Sequence, residues 1–188
     1  PQKILSKGGA RAGDRLLLTK PLGFGVTTTA HKREQVEEHH LKEAVAWMTR
    51  LNRLGGQLAA EFGLRGGTDV TGYSLLGHGY EMASASGVRF RLNFAGIPFV
   101  SGARQYAEAW TFPGGAADNN LYFGKYVHFN PALDEASQML LFDPQTSGGL
   151  LLAVPAEKLP TLLRRAEELG QPVWEIGEVV EGDGIEVV

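Results

Sequence analysis

Asp69 stands in the stretch RGGTDVTGYSLLGHGYEMA (65–83), in what reads as a glycine-rich turn just ahead of an apolar run of helical spacing. An acid in that place can accept hydrogen bonds from the free N–H groups of the helix and suits the positive end of its dipole. It can equally bind a hard cation such as Mg²⁺, with nearby amides and the hydroxyls of Thr68 and Thr71 receiving phosphate oxygens. The residues alone leave both readings open. A lone carboxylate is not a magnesium site, but such sites take only one or two carboxylates and share the remaining positions with a nucleotide.

A second candidate is LFDPQTSGGLLLAV (141–154). Asp143-Pro144 initiates a turn, and Gln145, Thr146, Ser147, Gly148 and Gly149 offer hydroxyls and exposed amides that can form an anion nest. No lysine follows the glycines and a strand comes next, so this is not a nucleotide-binding P-loop. A glycine turn feeding a buried strand is the plain alternative. Lys20, closing LLLTK before the PLGFG turn (21–25), can present an ammonium group to a phosphate or simply sit in solvent. The histidines carry less. His39 and His40 are adjacent, so they should not share a helix face, and His78 in LLGHGYE reads as a packing or hydrogen-bonding residue. No His-Glu-x-x-His spacing and no Ser-His-Asp set occurs, which argues against zinc and serine hydrolases.

The elements that must position these groups follow from local pattern. RLLLTK (15–20) reads as a short buried strand between Asp14 and Pro21. A polar stretch follows, then a helix over about 34–52 with Val36, Leu41, Val45, Trp47, Met48 and Leu51 at roughly helical spacing. Residues 55–64 add a helical turn. A helix over 72–86 stops at Gly87, and VRFRLNF (88–94) alternates as a half-buried strand. A helix is expected within 101–110, a long glycine- and asparagine-rich loop over 112–132, and a short helix over 133–141. LLLAV (150–154) is a buried strand, 156–170 an amphipathic helix ending in glycine, and the last residues one or two strands. Strands interleaved with helices give an α/β (α+β) class, a mixed β-sheet flanked by α-helices, read as a single domain over 1–188.

Composition excludes several classes. The 188 residues are 43% hydrophobic and 21% charged, enough for a core. A net charge of −3 is small and of the wrong sign for binding nucleic acid by phosphate neutralisation. No apolar run is long enough to span a membrane and no signal peptide opens the chain, so a cytoplasmic location is the default expectation. With no cysteine, the chain has no disulfide, thiolate metal site or cysteine nucleophile. The start, PQKILSKGGARAGD, lacks a methionine and a clear first element and reads as the middle of a longer sequence.

Taken together, LLLTKPLGFG, GGTDVTGYSLLGH, PFVSGARQYAEAWTFPGGAADNN and DPQTSGGLLLAV occur in the order seen in selenophosphate synthetase (selenide, water dikinase). The chain resembles the C-terminal domain of that family, within the superfamily of aminoimidazole ribonucleotide synthetase. Thiamine-monophosphate kinase and the hydrogenase-maturation carbamoyl dehydratase share the fold, but the Thr-Asp-Val-Thr-Gly and Asp-Pro-Gln-Thr-Ser-Gly-Gly wording favours the selenium enzyme.

The resemblance implies an enzyme that converts ATP, selenide and water to selenophosphate, AMP and orthophosphate with Mg²⁺, as a homodimer of two-domain subunits with ATP in the interdomain cleft. The aspartate matched by Asp69 is a Mg²⁺ ligand in that family. Thr68, Thr71, Lys20 and the 145–149 loop become candidates to line the cleft. Where the family has Phe-Gly, this chain has Tyr73-Ser74, which a helix should tolerate without loss of function. The family's N-terminal loop with a catalytic cysteine or selenocysteine and a lysine, its further aspartates and its ATP-holding glycine loop have no counterpart here. The chain is therefore expected to supply half a site and to be inactive alone. The rivals are a stand-alone binding or regulatory module of the same fold, and the C-terminal domain of another ATP-dependent enzyme of the superfamily.

Overall fold

The computed structural model describes residues 4–188; the first three residues of the expected abrupt start lie outside the described residues. Seven strands form one mixed sheet in the order β2-β5-β1-β6-β3-β7-β4. They are β1 (Asp14–Leu18), β2 (Gly66–Asp69), β3 (Arg89–Leu92), β4 (Val127–Phe129), β5 (Leu150–Pro155), β6 (Trp174–Val180) and β7 (Ile185–Val187). β1 runs antiparallel to both β5 and β6, while β7 lies parallel to β3 and β4. Eight helices accompany the sheet among the described residues: α1 (Phe24–Lys32), α2 (Glu38–Thr49), α3 (Arg53–Glu61), α4 (Ser74–Ser86), α5 (Ala103–Glu108), α6 (Gly114–Phe123), α7 (Glu135–Leu140) and α8 (Leu159–Glu168). None of them is long and apolar enough to cross a membrane.

Period-two alternation divides the central strands between two cores. Leu16, Leu18, Leu151 and Ala153 face α4 through Leu76 and Met82. Leu17, Leu152 and Val154 face the opposite side with Ala59 of α3 and Leu162 of α8. A third cluster joins α1, α2, α5 and α7 through Phe24, Ala44, Tyr106 and Leu140.

Four expectations need correction. The glycine-rich RGGTD segment is an edge strand, not a turn. A parallel bridge from Ser6 lies along its outer side, and a Cβ at Gly66 would fall 2.7 Å from the Ala10 nitrogen. Here glycine serves close backbone approach in an extended chain. The polar stretch after PLGFG contains α1, whose threonine-rich sequence has modest helix propensity. Its first N–H groups are held by distant side chains: Gln145 Oε1 accepts from Gly23 and Phe24 at 3.0 and 3.1 Å, and Asp143 Oδ2 accepts from Gly25 at 2.9 Å. The expected loop over 112–132 is mostly α6, a 3₁₀ turn and β4. Asn119, a poor residue for a helix interior, is buried there because its Nδ2 donates to the Gly72 and Phe142 carbonyls. The helix expected over 34–52 is confined to α2, because Glu37 and Arg50 on either side of it are extended, with ψ of 138° and 124°.

α4 starts at Ser74, two residues later than expected, and ends at Gly87 with a φ of 65° as expected. Ser74 has a φ of 68° and is fully buried. The position therefore asks for glycine, at which the resemblance to the selenium enzymes already pointed, and the reason is the backbone rather than helix tolerance. Relief of the left-handed strain, about 1–2 kcal/mol, exceeds the chain-entropy cost of glycine. Ser74→Gly is expected to raise unfolding stability by up to about 1 kcal/mol, measured by denaturant titration; a loss of stability would show that the Ser74 hydroxyl matters more than the strain.

Candidate functional site

The candidate residues converge where β1, β2 and β5 end or begin. Asp69 closes β2 opposite Leu150, the first residue of β5. Val70 N–H donates to the Gly149 carbonyl at 2.8 Å, and Gln145 N–H to the Thr71 carbonyl at 3.0 Å. Gly148 lies so close to this strand end that a Cβ would fall 2.1 Å from the Val70 oxygen. Leu150 N–H donates to Thr19 Oγ1 at 2.8 Å, tying β1 to the same junction. Two motifs remote in sequence thus share one backbone seam.

Within the seam the side chains differ in role. Asp69 is exposed, and its carboxylate has no hydrogen bond or ion pair among the described residues. It does not cap α4, which begins five residues on and has no side-chain cap. Thr68 is buried and lies on the opposite face of the strand from Asp69, with Oγ1 donating to the Asp69 carbonyl at 3.1 Å. Lys20 is buried too, and its Nζ donates to the Ser147 carbonyl at 2.7 Å. It is an anchor of the 145–149 loop and not a solvated strand-end lysine. Burial, with Arg50 adding like charge, pushes its ammonium below the usual lysine range. Gln145 is spent on α1, as described above. Thr146 and Ser147 are exposed, and Ser147 turns the loop at a φ of 54°. Asp69, Thr146 and Ser147 are thus the side chains open to a ligand, while Thr68, Lys20 and Gln145 support the scaffold.

Thr71 leads to His78, the hydrogen-bonding residue expected, and through it to Glu81, which sequence reasoning missed. Its Oγ1 lies 3.0 Å from His78 Nε2, and His78 Nδ1 lies 3.0 Å from Glu81 Oε2. Tyr73 N–H points at the same Nε2 at 3.4 Å, so Nε2 is the acceptor and Nδ1 carries the proton to Glu81. Lys7 Nζ completes the row at 2.6 Å from Glu81. Burial pushes the Glu81 carboxyl up, but the contacts with Lys7 and His78 outweigh it and hold it below the usual range. The i, i+3 spacing of His78 and Glu81 on one helix was the available signal. Beside them opens a groove of about 600 Å³ lined by Tyr73, Tyr80, Glu81, Asn119, Phe123 and Lys125. His39 and His40, expected to diverge, have ring centroids 4.0 Å apart. Helical side chains lean toward the N-terminus, and in this first turn no preceding turn separates the rings.

Residues 11–188 match the family model described as "AIR synthase related protein, C-terminal domain". The chain belongs to this family. Similar proteins include the selenide, water dikinase of Myxococcus xanthus, 43% identical over 191 residues that cover all of this chain and 54% of that protein. The Pseudomonas aeruginosa selenide, water dikinase is 43% identical over 178 residues, covering 95% of this chain and 51% of that protein. The chain spans about half the length of these relatives. Among solved structures, thiamine-monophosphate kinase from Stenotrophomonas maltophilia superposes with a TM-score of 0.69 at 17% identity, over 98% of this chain and 53% of that one. The hydrogenase maturation protein HypE in complex with ATP gives 0.63 at 17% identity, over 94% of this chain and 45% of that one. At such identities the likeness is one of fold. In this AIR synthase-related domain, the seam at Asp69 lies where β2 meets β5 in the sheet.

Proposed function

We propose that this domain is the C-terminal half of a selenophosphate synthetase, which makes selenophosphate, AMP and orthophosphate from ATP, selenide and water. The observation that carries the reading is the exposed Asp69 carboxylate, unpaired among the described residues, on a backbone seam shared with the 145–149 loop, in a chain 43% identical to selenide, water dikinases. A carboxylate with no cation beside it among the described residues fits a ligand to Mg²⁺, and one such group needs further ligands from elsewhere. Bound there, Mg²⁺ would neutralise charge on the phosphates during phosphoryl transfer. Asp69 would hold the ion. Thr146 and Ser147 would face the phosphates, Lys20 and Gln145 would keep that loop in place, and Thr71 with His78 would border the cleft. The remaining ligands and the selenium-handling residues would come from a partner domain, in a homodimeric, cytoplasmic enzyme. ATP in the HypE structure is consistent with a nucleotide site on this fold.

Calorimetric titration with ATP and Mg²⁺ tests the half-site. The isolated chain and its Asp69→Ala variant should both show no binding heat. Joined to the N-terminal half of the Myxococcus xanthus relative, the wild-type chain should support selenophosphate formation. Tight Mg–ATP binding by the chain alone, abolished by Asp69→Ala, would favour the stand-alone module instead.

A further inference from the structure

The first turn of α2 carries a second set of ligating side chains, in another part of the fold from Asp69. We propose that Glu37, His39 and His40 form a binding site for a divalent ion of the Zn²⁺ class. One nitrogen of each imidazole and a Glu37 carboxylate oxygen lie within 4.8 Å of one another. His39 Nδ1 is 3.6 Å from Glu37 Oε2, and the two rings are 4.0 Å apart.

The surroundings hold this set in place. His40 is buried, with Nδ1 2.7 Å from the hydroxyl of Tyr106, itself buried in the helical core. Glu37 N–H donates to the same hydroxyl at 3.0 Å. One phenol oxygen therefore fixes both the ring of His40 and the main chain of Glu37. Gly102 makes room for the ring, since a Cβ there would fall 2.4 Å from His40 Nδ1. In the tautomer in which His40 Nδ1–H donates to Tyr106, Nε2 keeps its lone pair for an ion. Tyr106 then acts as the outer partner that ligating histidines usually have. His39 and Glu37 are exposed, so an ion can enter from solvent and water can complete its coordination.

Donor chemistry sets the class of ion. Two imidazoles and one carboxylate suit Zn²⁺, Co²⁺ or Ni²⁺, whereas Mg²⁺ prefers an all-oxygen shell. The Glu37 carboxylate offsets the positive end of the helix that would otherwise repel a cation, while that of Glu38 is paired with Lys42. The site does not depend on the selenophosphate reading, since its groups belong to α2, to Glu37 just before it and to α5.

Co²⁺ titration of the metal-free chain, followed by visible d–d absorption and displacement with Zn²⁺, tests it. The expected result is one ion per chain. His39→Ala and Glu37→Gln, both at exposed positions, should each weaken binding at least about tenfold, and Tyr106→Phe by about ten- to a hundredfold. His31→Ala should leave it unchanged. Absence of a one-equivalent phase, or a phase that survives both His39→Ala and Glu37→Gln, would overturn the proposal. Should Tyr106→Phe not fold, the two exposed variants decide alone.

Discussion

Asp69→Asn, placed in a complete selenophosphate synthetase carrying this domain, is expected to lower kcat about a thousandfold while leaving the domain folded. The size follows from the role proposed for the carboxylate. A metal that stabilises charge on a transferring phosphoryl group contributes several kcal/mol to the transition state, and each 1.36 kcal/mol is tenfold in rate. Asparagine keeps the shape but removes the charge that holds the ion. Stability should scarcely change, within about 0.5 kcal/mol, because the exposed carboxylate has no partner to lose among the described residues. The seam at this position is made by backbone groups of Val70 and Gly149, which the substitution leaves alone. Steady-state kinetics with Mg²⁺ varied, beside thermal unfolding, separates the outcomes. A normal kcat with normal stability would remove Asp69 from the metal site; a fall in kcat that tracks unfolding would make the residue structural.

Some of this arrangement was legible in the sequence. β1, β3, β5 and α8 could be read because local pattern and packing agree in them: continuous leucines in a central strand, strict alternation in β3, an amphipathic stripe closed by Gly170. Asp69 and the 145–149 loop stood out by composition. What could not be read was that they share a seam, since their meeting depends on the sheet order β2-β5-β1. The three missed elements share a cause. β2, α1 and α6 all run against their own propensities, and each is held by contacts remote in sequence: Ser6 beside Gly66, Gln145 and Asp143 on α1, Asn119 on the Gly72 and Phe142 carbonyls. Propensity is a weak prior wherever tertiary bonds take over the backbone groups. The linkage of Thr71 through His78 to Glu81 was hidden for a milder reason. The histidine and the acid were spaced to meet, but only the entry turn of α4 brings the Thr71 hydroxyl to the ring.

Asp143 shows what lies under a motif read only as a turn. It is fully buried, with Oδ2 accepting from Gly25 N–H at 2.9 Å and from Gln145 Nε2 at 3.0 Å, while Oδ1 has no hydrogen-bond partner among the described residues. Burial raises its pKa from the ordinary 3.8 to about 7, against the lowering effect of the Val26 and Gly25 amides and Gln145. The folded chain therefore binds a proton at Asp143 between these values that the unfolded chain has released. The resulting stability is fully present below pH 3.8, is lost as pH rises toward 7, and changes little above that. About three pKa units correspond to roughly 4 kcal/mol. Asp143→Asn cannot ionise, and its amide oxygen can still accept from Gly25. The stability of wild type minus that of Asp143→Asn should thus fall by up to about 4 kcal/mol between pH 4 and 7 and then level off. Denaturant unfolding of both proteins across that range gives the difference directly, with other titrating groups cancelling. A difference that stays constant with pH would mean that Asp143 keeps an ordinary pKa in the fold. The predicted slope would mean that the joint between α1 and the 145–149 loop is tightest when this carboxyl is neutral, and that it loosens as the pH approaches 7.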